Sequence, residues 1–442
     1  MIAREVALNV LIDVLIDKAY SNHALNEQLK KSDLSLQDKA FVTELVYGTL
    51  KQQSRLGFYM EPYVRGRLKS WVRVLLLMTM YQLVCLDSVP SHAAISESVE
   101  IAKKRGGQFN ANLVNGLLRE VSRQPLRDIS EAGDEASQLA VLSSHPIWLV
   151  KLWQKQFGLE QTKKMVTANN ERVSVKVRVN TLKTTKQVLQ EQLASEGIET
   201  STDTLCDEAL RIEKGNVANT EAFSKGLCYI QDEASMLVAA VLNPKKHTTV
   251  LDCCAAPGGK TTHLAQWMDN TGSIYAHDIY EHKLKLINEN ATRLGVTSIK
   301  MKLQDATTLH ECYEKEQFDY VLVDAPCTGL GVMRRHPEAK FLKTPEDLDG
   351  ILKIQAAILE SIKDLVKVGG RVVYSTCTVN RKENDKMVEQ FLQAHPQFER
   401  DETMIERVPE VVKSEVVNGT LQLFPGSYDT DGFFIASLRR RH

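Results

Sequence analysis

Ala3, Ala7, Val10, Leu11 and Val14 fall on one helical face, so the chain opens as an amphipathic helix. Residues 71–86 are almost continuously apolar and long enough for a buried helix. Stretches 93–104 and 110–122 alternate apolar and polar positions at the helical period. Only short turn signals separate these stretches: Ser32-Asp33, Ser88-Val89-Pro90 and Arg105-Gly106-Gly107. Residues 1–128 therefore predict an all-α bundle. The acidic, small-residue stretch 128–137 lacks periodicity and reads as a linker over 129–143.

A second pattern begins at Ser144-His145-Pro146. Helices are expected near 148–157 and 162–169, then a strand in 173–179, where valines alternate with polar residues. Mixed short elements up to residue 231 predict a small α+β domain over 144–231. From 232 the pattern becomes strand, helix, strand, helix. Strands are expected at 249–252, 274–278, 299–303, 320–323 and 371–375. Thr344-Pro345-Glu346-Asp347 has the signature of a helix start, and that helix is expected to run to Lys367 and stop at Gly369-Gly370. This alternation predicts a Rossmann-like α/β domain over 232–442, a parallel sheet with helices on both faces. Stretches 421–424 and 433–438 are expected to close it as an antiparallel pair.

At 442 residues the chain needs more than one core. Its 43% hydrophobic and 25% charged residues are ordinary for a globular protein. No apolar run approaches the roughly 18 residues of a membrane span, so no membrane partner is expected. Glu5, Asp13 and Asp17 interrupt the first apolar positions, so no signal peptide is expected. None of the eight cysteines forms a CxxC pair, so no metal site is expected, and free thiols point to the reducing cytoplasm. The net charge of −1 hides an asymmetry: residues 1–125 carry 16 Lys and Arg against 12 Asp and Glu, the remainder 39 against 44. The basic excess clusters at Arg65, Arg67, Lys69, Arg73 and Lys103-Lys104-Arg105. Such clusters meet phosphates or form a solvated face, and charge alone does not choose.

In an open α/β sheet, ligands sit beyond the carboxyl ends of the strands. After 249–252 comes Cys253-Cys254-Ala255-Ala256-Pro257-Gly258-Gly259-Lys260-Thr261, whose small residues let a ligand touch the backbone and whose following helix offers free N–H groups. Gly259-Lys260-Thr261 fits the end of a Walker A loop, but Cys254 stands where its first glycine belongs, and no G-x-G-x-x-G is present. A tight turn is the plain alternative. Asp278, twenty-six residues beyond Asp252, suits ribose hydroxyls, and Asp305 suits an adenine amino group. Together these strand ends point to a nucleoside ligand. If it is S-adenosylmethionine, its methyl group faces Asp324, Cys327 and Cys377. A thiolate can add to an electron-poor ring carbon, and two thiols at neighbouring strand ends suit covalent attack followed by release. Core packing or a disulfide are the alternatives.

The stretches Leu251 through Thr261, Asp324-Ala325-Pro326-Cys327-Thr328-Gly329 and Tyr374-Ser375-Thr376-Cys377-Thr378 resemble the RNA (cytosine-5)-methyltransferase family, the Nol/Nop/Sun family. The resemblance covers 232–442 and implies a class I S-adenosyl-L-methionine-dependent fold. It implies Cys377 as nucleophile, Cys327 as the thiol that aids release, and Asp324 as a catalytic acid. Cys254, Ala255, Ala256, Pro257, Gly258, Gly259, Lys260, Asp278, Asp305 and Asp324 fall on the family's cofactor positions. Cys253 stands where the family usually has an apolar residue. DNA cytosine-5 methyltransferases use the Pro-Cys thiol as nucleophile, so Thr376-Cys377 argues against a DNA partner. The helical part, through stretches such as Val46-Tyr47-Gly48-Thr49-Leu50, resembles the NusB-like RNA-binding domain fused to bacterial 16S ribosomal RNA (cytosine-5)-methyltransferases. That implies 16S ribosomal RNA as partner and cytosine 967 as target; a monomer in the cytoplasm is expected. An RNA-binding assembly factor with a vestigial methyltransferase fold is the competing reading. Arg334-Arg335-His336-Pro337 either binds phosphates near the target base or forms a solvated loop, and Arg439-Arg440-Arg441 reads as a basic tail.

Overall fold

A computed structural model describes residues 3–202 and 205–442. The chain forms two compact units. One takes it to Glu171 and adds Met333–Thr344; the other comprises Arg172–Val332 and Pro345–His442.

The first unit is helical: α1 (Ala3–Leu15), α2 (Ser21–Lys31), α3 (Leu36–Met60), α4 (Ser70–Cys85) and α5 (Ser91–Arg123). The nearly all-apolar α4 is buried almost all round, which is what such a helix requires. α5 is broken at Gly107, whose φ of +78° is open to glycine, and this break separates the two amphipathic stretches. The stretch that reads as a linker carries structure. Asp128 caps a short 3-10 turn over Ile129–Ala132, and Asp134 caps α6 (Glu135–Leu142) by accepting the Ser137 N–H at 2.8 Å. Its two aspartates are N-caps, which is why the segment lacks hydrophobic periodicity and still folds. α7 (Ile147–Ala168) follows.

The second unit begins with an antiparallel sheet of β1 (Val175–Val179), β2 (Glu199–Ser201), β3 (Ala209–Lys214) and β4 (Cys228–Ile230), ordered β2-β3-β1-β4 and accompanied by α8 (Lys186–Ser195) and α9 (Glu221–Ser224). The larger sheet then builds through α10 (Glu233–Leu242), β5 (Thr249–Asp252), α11 (Gly259–Trp267), β6 (Ser273–Asp278), α12 (Glu281–Leu294), β7 (Ile299–Leu303) and β8 (Phe318–Asp324).

After β8 the chain gives Met333–Thr344, including α13 (Ala339–Leu342), to the helical unit. There the Ser21 N–H donates to the buried Glu338 at 3.1 Å, and the buried Lys340 donates to Asn170 Oδ1 at 2.6 Å. Burial pushes the Lys340 ammonium down to about 7, with Lys51 adding to the effect. Arg334, only 4% exposed, does not lie on a solvated loop.

The chain resumes with α14 (Pro345–Ile362), β9 (Val366–Thr376), α15 (Asp385–Ala394), β10 (Phe398–Arg400), β11 (Val416–Val417), β12 (Thr420–Leu423) and β13 (Phe433–Arg440). The sheet order is β11-β12-β13-β9-β8-β5-β6-β7, with β7, β6, β5, β8 and β9 parallel and β13 antiparallel to β9. Strand order reverses between β5 and β8, which opens a ligand crevice at their carboxyl ends. α14 ends earlier than its sequence suggests because Val366 already pairs with Phe318, and Gly369-Gly370 lies inside β9 beside a register shift. A side chain at Gly370 would press within 2.9 Å of the Asp319 carbonyl. Arg439 and Arg440 are the last residues of β13, not a loose tail.

Candidate active site

β8 and β9 end together, Asp324 in register with Ser375, and β5 ends beside them two residues short, Asp252 in register with Leu322. Every candidate side chain of the second unit sits at this rim. Downstream of β5 the loop tightens at once. The Ala255 N–H donates to the His277 carbonyl at 2.8 Å, and the Gly258 N–H to the Ala255 carbonyl at 2.7 Å. Gly258 adopts φ +98° and packs so close to α12 that a Cβ would meet Ile287 Cα at 3.2 Å. No side chain caps α11, so its first N–H groups remain for a ligand. Cys253 packs in the apolar core.

Asp252 lies beneath this loop, buried, accepting the Thr261 hydroxyl at 2.7 Å. Burial pushes its carboxyl up to about 7, and the neighbouring Asp324 charge adds to the effect. An acid raised in the folded state keeps its proton while the unfolded chain ionises. Stability from this group is therefore complete below about pH 4, falls as pH rises and stays low above about 7. Asp252→Asn is expected to unfold at a higher temperature than wild type at pH 8 and to show no advantage at pH 4. Equal melting points at both pH values would contradict the assignment.

Asp278 and Asp305 end β6 and follow β7. Asp278 is buried, with Oδ1 accepting the Tyr280 N–H at 3.2 Å and lying 3.5 Å from Lys283 Nζ. Asp305 uses Oδ1 to accept the Thr307 N–H and hydroxyl, both at 2.8 Å, as an N-cap.

Asp324 is held on both sides. Lys260 Nζ stands 2.8 Å from its Oδ2, and the Ser375 hydroxyl donates to Oδ1 at 2.8 Å. Burial opposes the Lys260 charge, but Asp324 outweighs it and keeps the ammonium above its ordinary range. The ammonium also lies 5.2 Å from the Phe433 ring centre, a buried ring, as is Phe434. Each Asp324 oxygen retains a second lone pair that can accept a further hydrogen bond.

Because β8 and β9 are neighbours, the two cysteine loops lie side by side. Cys327 Sγ and Cys377 Sγ are 3.3 Å apart. The Cys327 thiol is pushed well above its ordinary range by that hydrogen bond, then by burial. Either sulfur can donate in this contact. The loop after Cys327 crosses directly over Cys377: the Gly331 N–H donates to the Cys377 carbonyl at 3.0 Å, and a Cβ at Gly331 would strike the Gly432 carbonyl at 2.0 Å.

Period-two reading of β1 gave no sign of what Lys176 and Arg178 do. Both are buried. Lys176 pairs with the buried Glu233 at 2.6 Å. Arg178 donates to the Gly259 carbonyl at 2.7 Å, to the Thr262 hydroxyl at 3.0 Å and to Gln231, and lies over the Tyr229 ring. It thus holds the first turn of α11 from the small sheet. Arg178→Met is expected to weaken S-adenosylmethionine binding by about tenfold in calorimetry. An unchanged affinity would show that the loop holds its shape without it.

The chain from 239 to 439 matches the family model described as 16S rRNA methyltransferase RsmB/F. Residues 1–123 match the NusB family and residues 145–218 a ferredoxin-like domain of RsmF/B-like methyltransferases. Sheet, glycine loop and acidic strand ends thus define an S-adenosylmethionine-dependent methyltransferase. The chain is 44% identical over 440 residues to the "Probable ribosomal RNA small subunit methyltransferase B" of Bacillus subtilis (strain 168), covering 99% of this chain and 98% of that one. It is 33% identical over 427 residues to the "Ribosomal RNA small subunit methyltransferase B" of Vibrio cholerae, covering 95% and 94%. The solved structure of NSun6 from Pyrococcus horikoshii with SFG aligns at a TM-score of 0.61 and 25% identity, covering 68% of this chain and all of its own. The chain belongs to the ribosomal RNA small subunit methyltransferase B family.

Proposed function

We propose that this protein methylates C5 of a cytosine in 16S ribosomal RNA, cytosine 967, with Cys377 as nucleophile and Cys327 assisting release. The observation that carries the reading is the thiol pair at 3.3 Å beside the Lys260–Asp324 pair. Family membership and the relatives' names support ribosomal RNA as substrate.

S-adenosylmethionine, when bound, supplies an electrophilic methyl group on a sulfonium. Gly258, Gly259 and the open start of α11 would hold one end of it, with Asp278 and Asp305 toward the nucleoside. C5 of cytosine is a poor nucleophile. Addition of the Cys377 sulfur to C6 moves the C5–C6 π pair to C5, which then behaves as an enamine carbon. Asp324 accepts from the base edge and orients the ring for attack, and Lys260 holds that carboxyl in place. Once C5 carries the methyl group, its proton passes to a water, the C–H pair restores the double bond, and the C6–S bond breaks with its electrons returning to Cys377. Cys327 is the neighbouring group placed to assist that step.

The target base must leave its stack to reach a recessed thiol. Residues 1–128 serve here as the RNA-binding module, followed by the segment 129–143, the small domain 144–231 and the catalytic domain 232–442. Arg65, Arg67, Lys69, Arg73 and Lys103 are exposed on the helical unit, as phosphate contact requires. The reading places the protein in the cytoplasm as a monomer.

The deciding experiment incubates the full-length protein with unmodified 16S ribosomal RNA and labelled S-adenosylmethionine, then maps 5-methylcytosine by bisulfite sequencing. One new 5-methylcytosine at position 967 is expected. A methyl group on a ribose or an exocyclic nitrogen would overturn the chemistry; 5-methylcytosine elsewhere would overturn the target.

A further inference from the structure

Between β9 and α15 the chain runs Asn380-Arg381-Lys382-Glu383-Asn384, a polar stretch in which Glu383 is fully buried. Five donors converge on its carboxylate. One oxygen accepts the Thr328 backbone N–H at 2.8 Å and the Gln355 amide at 3.4 Å. The other accepts the Thr328 hydroxyl at 2.6 Å, the Asn380 amide at 3.1 Å and the Thr378 hydroxyl at 3.3 Å. All five donors are neutral, so this is not an ion pair. Thr328 follows Cys327 and Thr378 follows Cys377, so one carboxylate grips the residue after each thiol. The two threonine hydroxyls also meet at 3.0 Å.

The neighbouring groups complete the same grip. The Gln355 amide donates to the Pro326 carbonyl at 2.9 Å, fixing the loop on the other side of Cys327. Asn384 accepts the Thr376 hydroxyl at 2.6 Å and donates to the Thr378 carbonyl at 3.0 Å, bracketing Cys377. The Tyr374 hydroxyl donates to the Glu383 carbonyl at 2.7 Å. A buried carboxylate without a cation is costly unless its acceptor sites are filled, and these are.

We propose that Glu383 is a positioning residue for the methyl-transfer reaction: it locks the Cys327 and Cys377 loops in one register, so that the two sulfurs stand at working distance. This rests on the reading of Cys377 and Cys327 as the reacting pair. The role demands acceptors only. A glutamine would fill the same volume but turn one oxygen into a donor facing donors. The negative charge also contributes to holding the Cys327 proton, after the Cys377 hydrogen bond and burial.

The test uses the full-length protein with Glu383→Ala, Glu383→Gln and the milder Thr328→Val. The first readout is independent of methylation: the rate at which diamide closes a Cys327–Cys377 disulfide, followed by alkylation and mass spectrometry. Each closure removes two protons and two electrons from the thiols and reduces diamide to the hydrazine. Glu383→Ala is expected to slow closure about tenfold or more, because a few ångströms of loop drift remove the encounter. The second readout is steady-state methylation: kcat is expected to fall about thirtyfold or more, with KM for S-adenosylmethionine within about threefold of wild type. Glu383→Gln should fall between alanine and wild type in both readouts.

Wild-type closure rates in Glu383→Ala would overturn the proposal, as would a KM effect without a kcat effect. If Glu383→Ala fails to fold, Thr328→Val decides: slower closure with lower kcat supports the clamp, and wild-type values in both refute it. A wild-type protein that makes no 5-methylcytosine would sink the proposed reaction, while the disulfide rates would still judge the clamp.

Discussion

Cys377→Ala is expected to lose methyl transfer by at least about a thousandfold, because in the proposed reaction its sulfur makes the covalent bond that turns C5 into a nucleophile. S-adenosylmethionine binding should survive, since the glycine loop, α11 and the acidic strand ends do not depend on this sulfur. The substitution is also mild structurally. Cys377 packs at the edge of the apolar core, and alanine removes one sulfur atom from a loop anchored by backbone bonds at Gly331 and by Asn384. Equilibrium binding and a methylation time course on the same preparation separate the two effects. Substantial activity in this variant would remove Cys377 from the nucleophile's place.

Cys327→Ala should behave in the opposite sense. Its Sγ lies 3.3 Å from Cys377 Sγ, close enough to act on a bond that Cys377 has just formed. Without it, attack on C6 and methylation proceed while release slows. The variant should therefore accumulate an RNA–protein species that survives denaturing gels, with steady-state turnover lower by about a hundredfold. The double variant Cys327→Ala, Cys377→Ala should show no such species. A stable complex formed by Cys377→Ala and not by Cys327→Ala would exchange the two roles.

The two assignments rest on different depths of legibility. The glycine loop, Asp278, Asp324 and both cysteines are readable because each lies within a few residues of a strand end, and strand ends announce themselves by local patterning. Neighbouring of the cysteine loops follows from sheet order, a property of alternating strands and helices. Arg178 and Lys176 are not readable in this way: charged residues alternating with valine suggest a half-solvated strand, and only tertiary packing turns both faces of β1 inward. Glu383 is hidden for a related reason. A glutamate among Asn, Arg and Lys looks like surface, and its five donors come from four residues in three separate stretches of the chain. The early end of α14 is set by strand pairing to Phe318, which outweighs the local preference to continue a turn longer.

The membership of Met333–Thr344 in the helical unit bears on how the protein is made. Vectorial synthesis delivers α1 to α7 first, yet Ser21 and Asn170 find Glu338 and Lys340 only after all of β1 to β8 has been made. At a translation rate of about 5–20 residues per second, that interval lasts on the order of 10–30 s. Through it the bundle holds an incomplete interior, with an N–H and an amide awaiting their partners. The nascent helical unit is thus finished only by its late fastening, and the protein cannot be assembled as beads on a string.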